Sequence, residues 1–396
     1  MNPGYRRHKL IYTIIKPIVT LFLKLRFGFK RGRMREEKGP FVVVCNHVTN
    51  FDMLFLACTF KEYIYFVASE HTFRAGFASK LLRWVFDPIG RTKASVAGST
   101  VMEMKKRLKA GHSIGIFGEG LRTASGVTQP IMPATARVMQ MFGVPIITYK
   151  LHGGYLAHPR WGYTIRRGHM EGELVNIYTP EMLKKMTADE LNDAINRDLY
   201  EDAYEWNKDR HIAYKGRRLA EGIEFELVAC PKCGKLNSIK SKKDRFRCDC
   251  GLAGRYDEYG MLSGEGFDFT KVKEWDEWER GYIEKLPEYE DDHVLASDPD
   301  QTLCEFDADH NTIPVATGTL QITPKEIRVG DFAVKLSDIS MYDIILQGYL
   351  LFSTADGRHF EIHDSKHKFA GFLYQLLIKR YKPMEEKKNV KRSKLQ

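Results

Sequence analysis

Hydrophobic and polar positions follow two different periods along the first half of the chain. Four short runs rich in β-branched and aromatic residues predict buried strands, and apolar residues at helical spacing between them predict helices. Such alternation of strands and helices is typical of an α/β domain with a largely parallel sheet. The predicted strands are residues 41–46, 63–68, 113–117 and 144–149, and the predicted helices are residues 54–60, 77–86, 99–111 and 133–143.

The last third of the chain has a different pattern. Apolar and polar residues alternate with period two over residues 301–364, with turn signals between the runs, and this predicts an antiparallel sheet or small barrel. A helix over residues 367–382 follows. This order of elements resembles the pleckstrin-homology or GRAM-like fold. The resemblance suggests lipid binding, and a scaffold for protein contacts is the alternative role.

The amino-terminal segment combines apolar and basic residues. Residues 10–23 form an apolar run of 14 residues that Lys16 and Pro17 interrupt. At about 1.5 Å per residue the run is roughly 21 Å long, which is short for a hydrocarbon core of about 30 Å. Residues 1–38 carry eleven Lys and Arg against two Glu. We therefore expect two short interfacial helices bent at Pro17, with basic side chains on anionic head groups. A buried amphipathic helix is the alternative, and no cleavage site suggests a signal peptide.

Composition and charge limit the possible functions. The chain has 396 residues, 43% of them hydrophobic, so two or three packed domains are expected and global disorder is excluded. The formal net charge is +10 and the pI is about 9.0, which favours an anionic partner. A phospholipid surface, a nucleic acid and a phosphorylated substrate all satisfy this condition.

Polar residues with chemical potential follow two of the predicted strands. His47 comes directly after the first strand with Asp52 five positions later, and the segment "GEGLRT" (118–123) follows the third. The carboxyl ends of parallel strands meet at one edge of a sheet, where ligands bind. A carboxylate beside a neutral imidazole fixes its tautomer, so His47 can act as a general base. No serine or cysteine lies at an evident nucleophile elbow, and Cys45 fits a small buried hydrophobe, so the base would act directly on a substrate hydroxyl.

Four segments resemble, in the same order, the sequence blocks of the lysophosphatidate acyltransferase (PlsC-type) family of glycerolipid acyltransferases. "NHVTNFD" (46–52) resembles the His-x4-Asp block, and "IGRTKAS" (89–95) the block that supplies an arginine. "FGEGLRT" (117–123) is similar to Phe-Pro-Glu-Gly-Thr-Arg-Ser, with Gly118 in place of the proline and Leu121 in place of the threonine. "VPIITY" (144–149) fits the fourth block.

The resemblance implies a reaction and its residues. A fatty acyl group would move from acyl-coenzyme A or acyl carrier protein to the free hydroxyl of a lysophospholipid, above all 1-acylglycerol 3-phosphate. It makes His47 the base, Asp52 its orienting partner, Arg91 a phosphate ligand, and Glu119, Gly120 and Arg122 acceptor-binding residues, with Glu119 on the glycerol hydroxyls.

The chemistry needs no cofactor, and the expected location is the cytoplasmic face of the membrane. Another lysolipid or glycerol 3-phosphate is an alternative acceptor. A non-catalytic lipid-binding adaptor is the alternative function. Taken alone, Glu119 and Arg122 could form a surface ion pair. Residues 151–162 could line the substrate channel or form an ordinary packed loop.

Four cysteines in residues 225–262 form a second candidate site. Cys230 and Cys233 form a Cys-x2-Cys pair, and Cys248 and Cys250 follow after fourteen intervening residues. This spacing favours one structural zinc ion bound by four thiolates. Disulfides are the alternative, but no secretion signal accompanies them. The basic run 240–247 would suit nucleic-acid phosphates, yet it lacks further aromatic platforms, so no nucleic-acid partner is expected.

The predicted fold class is therefore an α/β acyltransferase domain with a mostly parallel sheet, preceded by interfacial helices. A small zinc-ribbon-like segment and a β-rich domain capped by a carboxyl-terminal helix follow it. The predicted boundaries are 1–38 for the basic membrane-interface segment, 39–216 for the acyltransferase domain, 225–262 for the zinc ribbon, 267–300 for a Trp-bearing helix and acidic linker, 301–382 for the β domain and 383–396 for a basic disordered tail.

Overall fold

The structure is a computed structural model. It describes residues 3–32, 38–69, 84–91, 98–306, 311–345, 348–364 and 367–393. The chain divides into two compact units. The first comprises residues 1–160 and 165–216, and the second comprises residues 161–164 and 217–396.

A six-stranded sheet organises the first unit. Its strand order is β3-β2-β4-β1-β5-β6; the first five strands are mutually parallel and β6 pairs antiparallel with β5. β1 lies inside the sheet and is fully buried, as its β-branched sequence predicts. The strands are β1 Val42–Cys45, β2 Ile64–Ser69, β3 Ile89–Arg91, β4 Ser113–Phe117, β5 Ile146–His152 and β6 Glu171–Tyr178.

Helices connect these strands much as the pattern predicts. Of the predicted helix 77–86, residues 84–86 are helical and residues 77–83 lie outside the described part of the chain. Besides residues 84–86, the helices in the described part of this unit are α1 Pro3–Phe27, α2 Asp52–Thr59, α3 Gly98–Lys109, α4 Pro133–Met141, α5 Gly154–Ala157, α6 Pro180–Leu183, α7 Ala188–Leu199 and α8 Ala203–Lys208.

The amino-terminal segment forms one helix, so the prediction of two short helices is wrong. α1 continues through Pro17 although an internal proline costs about 3 kcal/mol. Packing of one helix face offsets this cost. The Tyr12 hydroxyl donates to the Phe60 carbonyl at 3.1 Å, and the rings of Phe27 and Phe55 meet edge to face at 5.2 Å. The helix ends at Phe27, and at the next residue, Gly28, φ is +60° and a Cβ would lie 2.5 Å from a backbone carbonyl oxygen.

The second unit contains a small four-stranded antiparallel sheet and one flanking helix. The buried side of this sheet carries Phe246, whose ring meets that of the fully buried Trp275 of the helix at 5.8 Å. The elements are β7 Lys240–Lys242, β8 Arg245–Arg247, β9 Ala253–Tyr256 and β10 Leu262–Glu265, helix α9 Val272–Glu284, and a 3₁₀ turn at Ile223–Phe225.

A seven-stranded antiparallel sheet and a terminal helix complete the second unit. Its strand order is β14-β13-β12-β11-β17-β16-β15, and the helix buries Leu373, Leu377 and Ile378. These elements agree with the strands and closing helix that the pattern predicts. The elements are β11 Ala296–Phe306, β12 Thr312–Ile322, β13 Glu326–Val329, β14 Phe332–Lys335, β15 Ile339–Ile345, β16 Tyr349–Thr354, β17 His359–Asp364, a 3₁₀ turn at Leu336–Asp338 and helix α10 Gly371–Ser393.

Two boundaries of this unit differ from the prediction. β11 begins at Ala296, so the last part of the predicted acidic linker is a strand. α10 continues to Ser393, whereas disorder was predicted from residue 383. Residues 385–388 are two glutamates and two lysines, which favour helix more than a basic tail suggests. Residues 394–396 lie outside the described part.

Candidate active site

Two strand ends bring His47 and Glu119 together. β1 and β4 are parallel neighbours with Cys45 opposite Phe117, and each polar residue lies two positions beyond that pair. The His47 backbone N–H donates to Glu119 Oε1 at 2.6 Å, and the Thr123 N–H donates to the His47 carbonyl at 2.9 Å. The loops after β1 and β4 are therefore joined, as expected for polar residues at one edge of a parallel sheet.

Asp52 is held by the loop that it follows. It is the first residue of α2 and only 1% exposed. Its carboxylate accepts hydrogen bonds from the backbone N–H of Val48 at 2.6 Å and of Thr49 at 3.0 Å, and from the Thr49 hydroxyl at 2.7 Å. The first turn of a helix favours a negative charge. The carboxylate is thus fixed in position before any substrate binds.

His47 faces this carboxylate with one ring nitrogen. Nδ1 lies 2.7 Å from Asp52 Oδ2, and the ring stacks on Phe117 with a centroid distance of 4.6 Å. A proton on Nδ1 that is donated to the carboxylate leaves the Nε2 lone pair available. Nε2 has no hydrogen-bond partner in the described part of the chain, and the side chain is 25% exposed. The pair has the arrangement of an oriented general base.

Both carboxylate oxygens of Glu119 accept backbone hydrogen bonds. Besides the bond to His47, Oε2 accepts from the Gln129 N–H at 2.8 Å. Burial raises the pKa of Glu119 to about 8, and the nearby Asp52 adds to this rise, while the two backbone bonds act in the opposite direction. The structure therefore gives Glu119 a role that the sequence did not predict, because it joins the histidine loop to the chain before α4.

Arg91 lies near Gly120 at the carboxyl end of β3. Arg91 is exposed, and its Nη1 is 3.8 Å from the position that a Cβ on Gly120 would occupy. Gly120 has a φ of +76°, which favours glycine. Gly118 is closely packed as well, since a Cβ there would lie 2.4 Å from Ile131 Cγ2. Because Ile131 occupies the space that a side chain at position 118 would need, this packing favours glycine at the position where the acyltransferase blocks have proline.

Arg122 lies among other cations. Its Nη1 is 3.5 Å from the His158 carbonyl, and burial together with the charge of Arg160 lowers its pKa to about 10. His158 is buried, and burial with the charges of Arg122 and Arg166 lowers its pKa to about 4. A partly buried cation with a lowered pKa would be stabilised by a bound anion.

The family comparison decides which class this site belongs to. Residues 28–151 match the family model described as Acyltransferase, and this range contains His47, Asp52, Arg91, Glu119 and Arg122. Residues 28–151 are an acyltransferase domain. The resemblance drawn from the four sequence blocks is confirmed at the level of this family.

Two solved structures are similar to parts of the chain. One is the 1-acyl-sn-glycerophosphate (LPA) acyltransferase PlsC from Thermotoga maritima, with 19% identity over 50% of this chain and 80% of that one, and a TM-score of 0.42. The other is the C-terminal domain of an unknown protein from Leishmania infantum, with 13% identity over 22% of this chain and 84% of that one, and a TM-score of 0.16. At these TM-scores neither likeness supports an argument. No curated protein matches the sequence.

The acyltransferase domain contains a positioning residue that the sequence analysis missed. Asn46 is fully buried at the end of β1. Its Nδ2 donates to the Leu151 carbonyl at 2.9 Å, and its Oδ1 accepts from the Leu151 N–H at 2.8 Å. The side chain therefore ties the end of β1 to β5 directly before His47. A buried amide immediately after an apolar strand is the signal that could have identified it.

The two histidines of residues 151–162 lie in the first unit and have different surroundings. His152 Nδ1 lies 2.6 Å from Glu201 Oε2, and its Nε2 lies 3.1 Å from Glu173 Oε2, so acidic partners occupy both ring nitrogens. These bonds raise the pKa of His152 despite its burial. His158 lies beside Arg122 instead. The channel prediction for this segment stays a prediction.

The four cysteines of the second unit meet at one point. Their sulfurs all lie within 4.8 Å of one another. The Sγ atoms of Cys230 and Cys250 are 3.6 Å apart, and those of Cys233 and Cys248 are 3.9 Å apart. Four thiolates at about 2.3 Å from a tetrahedral zinc ion would be about 3.8 Å apart. The cluster fits zinc in size and in ligand type.

Proposed function

We propose that the acyltransferase domain transfers a fatty acyl group from a thioester of coenzyme A or acyl carrier protein to the free hydroxyl of a lysophospholipid. The acceptor that we favour is 1-acylglycerol 3-phosphate, which gives phosphatidic acid. The observation that supports this proposal is the buried Asp52 carboxylate, 2.7 Å from His47 Nδ1, beside a ring whose second nitrogen is available.

In the proposed reaction, His47 Nε2 removes the proton of the acceptor hydroxyl while Asp52 stabilises the imidazolium that forms. The oxygen attacks the thioester carbonyl carbon. The tetrahedral intermediate then expels the thiolate, which takes the proton from Nε2. No covalent enzyme intermediate is required, and no cofactor takes part.

An anionic acceptor fits the charges around this histidine. Arg91 is exposed near Gly120, and the lowered pKa of Arg122 indicates a cation that gains from a bound anion. An arginine can bind a phosphate through two parallel hydrogen bonds. These residues would hold the acceptor phosphate while the hydroxyl lies at His47.

An acceptor panel tests the proposal. Purified protein is given acyl-coenzyme A or acyl carrier protein as donor, with lysophosphatidate, glycerol 3-phosphate, lysophosphatidylcholine and uncharged monoacylglycerol as acceptors. We expect transfer to lysophosphatidate to be the fastest and transfer to monoacylglycerol to be the slowest, because the latter has no phosphate. Equal rates with these two acceptors would contradict the phosphate assignment, and no transfer with either donor would contradict the reaction.

We further propose that α1 anchors the protein at the cytoplasmic face of a membrane. No helix within the described residues is long and apolar enough to cross a bilayer. α1 nevertheless exposes a stripe of large apolar side chains at helical spacing, each at least 56% exposed: Leu10, Ile14, Ile18, Leu21 and Leu25. An apolar stripe with basic residues nearby is typical of helices that lie in the membrane interface.

We propose that the cysteine cluster binds one structural zinc ion. The sulfur separations of 3.6 and 3.9 Å support this proposal, since they match a tetrahedral four-thiolate site. Four protein ligands would leave no open coordination position, so the ion would stabilise the fold of the second unit and would take no part in acyl transfer.

A further inference from the structure

The small sheet of the second unit has two faces of opposite character. Phe246 of β8 points to the core side, is 2% exposed and packs against the rings of Phe267 and Trp275. In an antiparallel sheet, residues directly opposite one another share a face and neighbours along a strand point to opposite faces. The residues on either side of Phe246 therefore belong to the outer face.

Cations occupy this outer face. The pairing places Lys240 opposite Arg247 and Lys242 opposite Arg245, and it places Arg255 of β9 opposite Arg245. All of these side chains are exposed. We call this set the basic face; its members are Lys240, Lys242, Arg245, Arg247 and Arg255.

Acidic residues neutralise only part of the basic face. Arg255 pairs with Asp244 at 2.9 Å, and Lys240 lies 4.0 Å from Asp249. Within the described residues, Lys242, Arg245 and Arg247 form no salt bridge, although Lys242 lies near enough to Glu221 for its charge to lower the pKa of that carboxyl. Like charges directly opposite one another destabilise a sheet. The basic face therefore opposes folding of the sheet, which indicates a role other than stability.

The shape of this region leaves room for a ligand. An open depression of about 890 Å³ is lined by residues 240–247 together with Ala253 and Gly254. Ligand sites of proteins commonly have volumes of this order. Three exposed cations without salt bridges beside this depression fit a group of phosphates.

We propose that the basic face binds the anionic head groups of a phospholipid bilayer. This inference rests on the membrane location in the proposed function and adds a second contact, in the second unit, to that of α1. Juxtamembrane Lys and Arg residues attract anionic lipids in this way. The chemistry recognised is a set of phosphate-bearing, negatively charged head groups displayed on a surface.

Nucleic acid fits the basic face less well. Single-stranded binding uses exposed aromatic rings on which bases stack, and the aromatic side chains of these strands, Phe246 and Tyr256, are buried. A four-stranded sheet is about 14 Å wide before side chains are added, since neighbouring strands lie about 4.8 Å apart. The major groove of DNA is about 12 Å wide and admits a helix or a two-stranded ribbon, so the four-stranded sheet is too wide to enter it.

Vesicle binding of the full-length protein tests this inference. The test variant carries Lys242→Gln, Arg245→Gln and Arg247→Gln. The matched control carries Lys285→Gln, Lys325→Gln and Lys335→Gln, which removes the same charge from other elements of the second unit. Partitioning is measured on vesicles of phosphatidylcholine alone and on vesicles with equal amounts of phosphatidylcholine and phosphatidylserine.

We expect the test variant to bind the phosphatidylserine vesicles on the order of 100-fold more weakly than the wild type, because each basic side chain at the surface contributes about five-fold. Binding to phosphatidylcholine should not change, and the control should stay near the wild type. Equal losses for test variant and control would reduce the effect to net charge and overturn the inference. Unchanged binding of the test variant to the phosphatidylserine vesicles would also overturn the inference. So would a test variant that keeps its vesicle binding and loses only its binding to a single-stranded RNA probe.

Two further readouts separate misfolding and failure of the enzyme from failure of the inference. The melting temperature of the test variant should equal or exceed that of the wild type, because like-charge pairs are removed. A clear decrease would show that the face serves stability and would overturn the inference. In detergent, the test variant should transfer acyl groups to lysophosphatidate at the wild-type rate. If the wild type itself shows no transfer, that result counts against the proposed function and not against this inference.

Discussion

Asp52 accepts more hydrogen bonds than the orientation of one histidine requires. Val48 and Thr49 donate to its carboxylate from the backbone, and the Thr49 hydroxyl donates as well. These bonds close the four-residue segment between His47 and α2 into a fixed loop. The five-position spacing of His47 and Asp52 thus lets the loop fold back so that the carboxylate at the first turn of α2 meets the imidazole ring.

Glu119 supports the backbone of His47, and its substitution tests this role. In Glu119→Gln the side chain keeps one acceptor oxygen, and an NH₂ group replaces the other. This NH₂ group cannot accept a hydrogen bond, so the backbone N–H of either His47 or Gln129 loses its partner. A buried N–H without a partner costs about 1–3 kcal/mol. We expect kcat to fall by about ten-fold or more with little change in the acceptor KM.

The same measurement distinguishes this role from acceptor binding. If Glu119 binds the glycerol hydroxyls, the acceptor KM should rise while the rate at saturation changes little. A variant at an exposed neighbour, Gln129→Ala, serves as control, because its backbone N–H and therefore its bond to Glu119 remain. Steady-state kinetics over a range of acceptor concentrations provides both constants.

His158 should make the stability of the protein depend on pH. Its pKa in the folded protein is about 4, below the ordinary value of 6.5, so between these values the unfolded chain binds more protons. The stabilisation is complete above pH 6.5 and is lost as the pH falls toward 4, up to about 3 kcal/mol. In His158→Leu the free energy of unfolding in urea should decrease less over this range. An identical decrease in both proteins would contradict the assignment.

Much of the site could be predicted from the sequence, and the remainder has a physical explanation. His47, Asp52 and Glu119 follow strands, and the rule for parallel sheets brings such residues to one edge. The bonds from Glu119 to two backbone N–H groups depend on the path of the chain between residues 119 and 129. Sequence spacing does not specify such a path, and stacking of His47 on Phe117 is likewise a property of the folded sheet.

At the scale of elements, long and strongly patterned segments were predicted well and short edge elements were not. β1, β2, β4 and β5 all lie within two or three residues of the expected positions. β3 has three residues, too few for a period to be visible. β6 is an edge strand in which charged and apolar residues alternate only weakly.

Removal of the proposed zinc ion should unfold part of the second unit. The cysteines hold the loops before β7 and between β8 and β9, and each strand of this sheet has only three or four residues. We expect about one zinc per chain by elemental analysis, and a chelator should lower the melting temperature. Cys233→Ser should lose the metal, because three thiolates complete the site poorly.

Cys304→Ser is the matched control for this experiment. Cys304 is a buried cysteine of β11 outside the cluster, so its substitution can lower stability but should leave the zinc content unchanged. Folded wild-type protein without metal, or equal loss of zinc in the two variants, would contradict a four-cysteine site.

At the scale of the whole molecule, the exposed stripe of α1 predicts membrane binding. Ile14 and Ile18 are 63% and 69% exposed, and burial of such a side chain contributes about 1.5–3 kcal/mol. Ile14→Asp with Ile18→Asp should weaken binding to phosphatidylcholine vesicles by about 100-fold or more. Thr13→Asp with Thr20→Asp adds the same charge to α1 away from the stripe and should have a smaller effect. Equal effects of the two pairs would contradict the anchoring role.

His47 is the proposed base of the acyl transfer, and its substitution tests this role. The most direct measurement is transfer from long-chain acyl-coenzyme A, and separately from acyl carrier protein, to radiolabelled lysophosphatidate by the wild type and by His47→Ala. We expect turnover by the wild type and a decrease of about 10²–10⁴ in the variant, the usual contribution of a general base. Equal turnover by the two proteins would contradict this role.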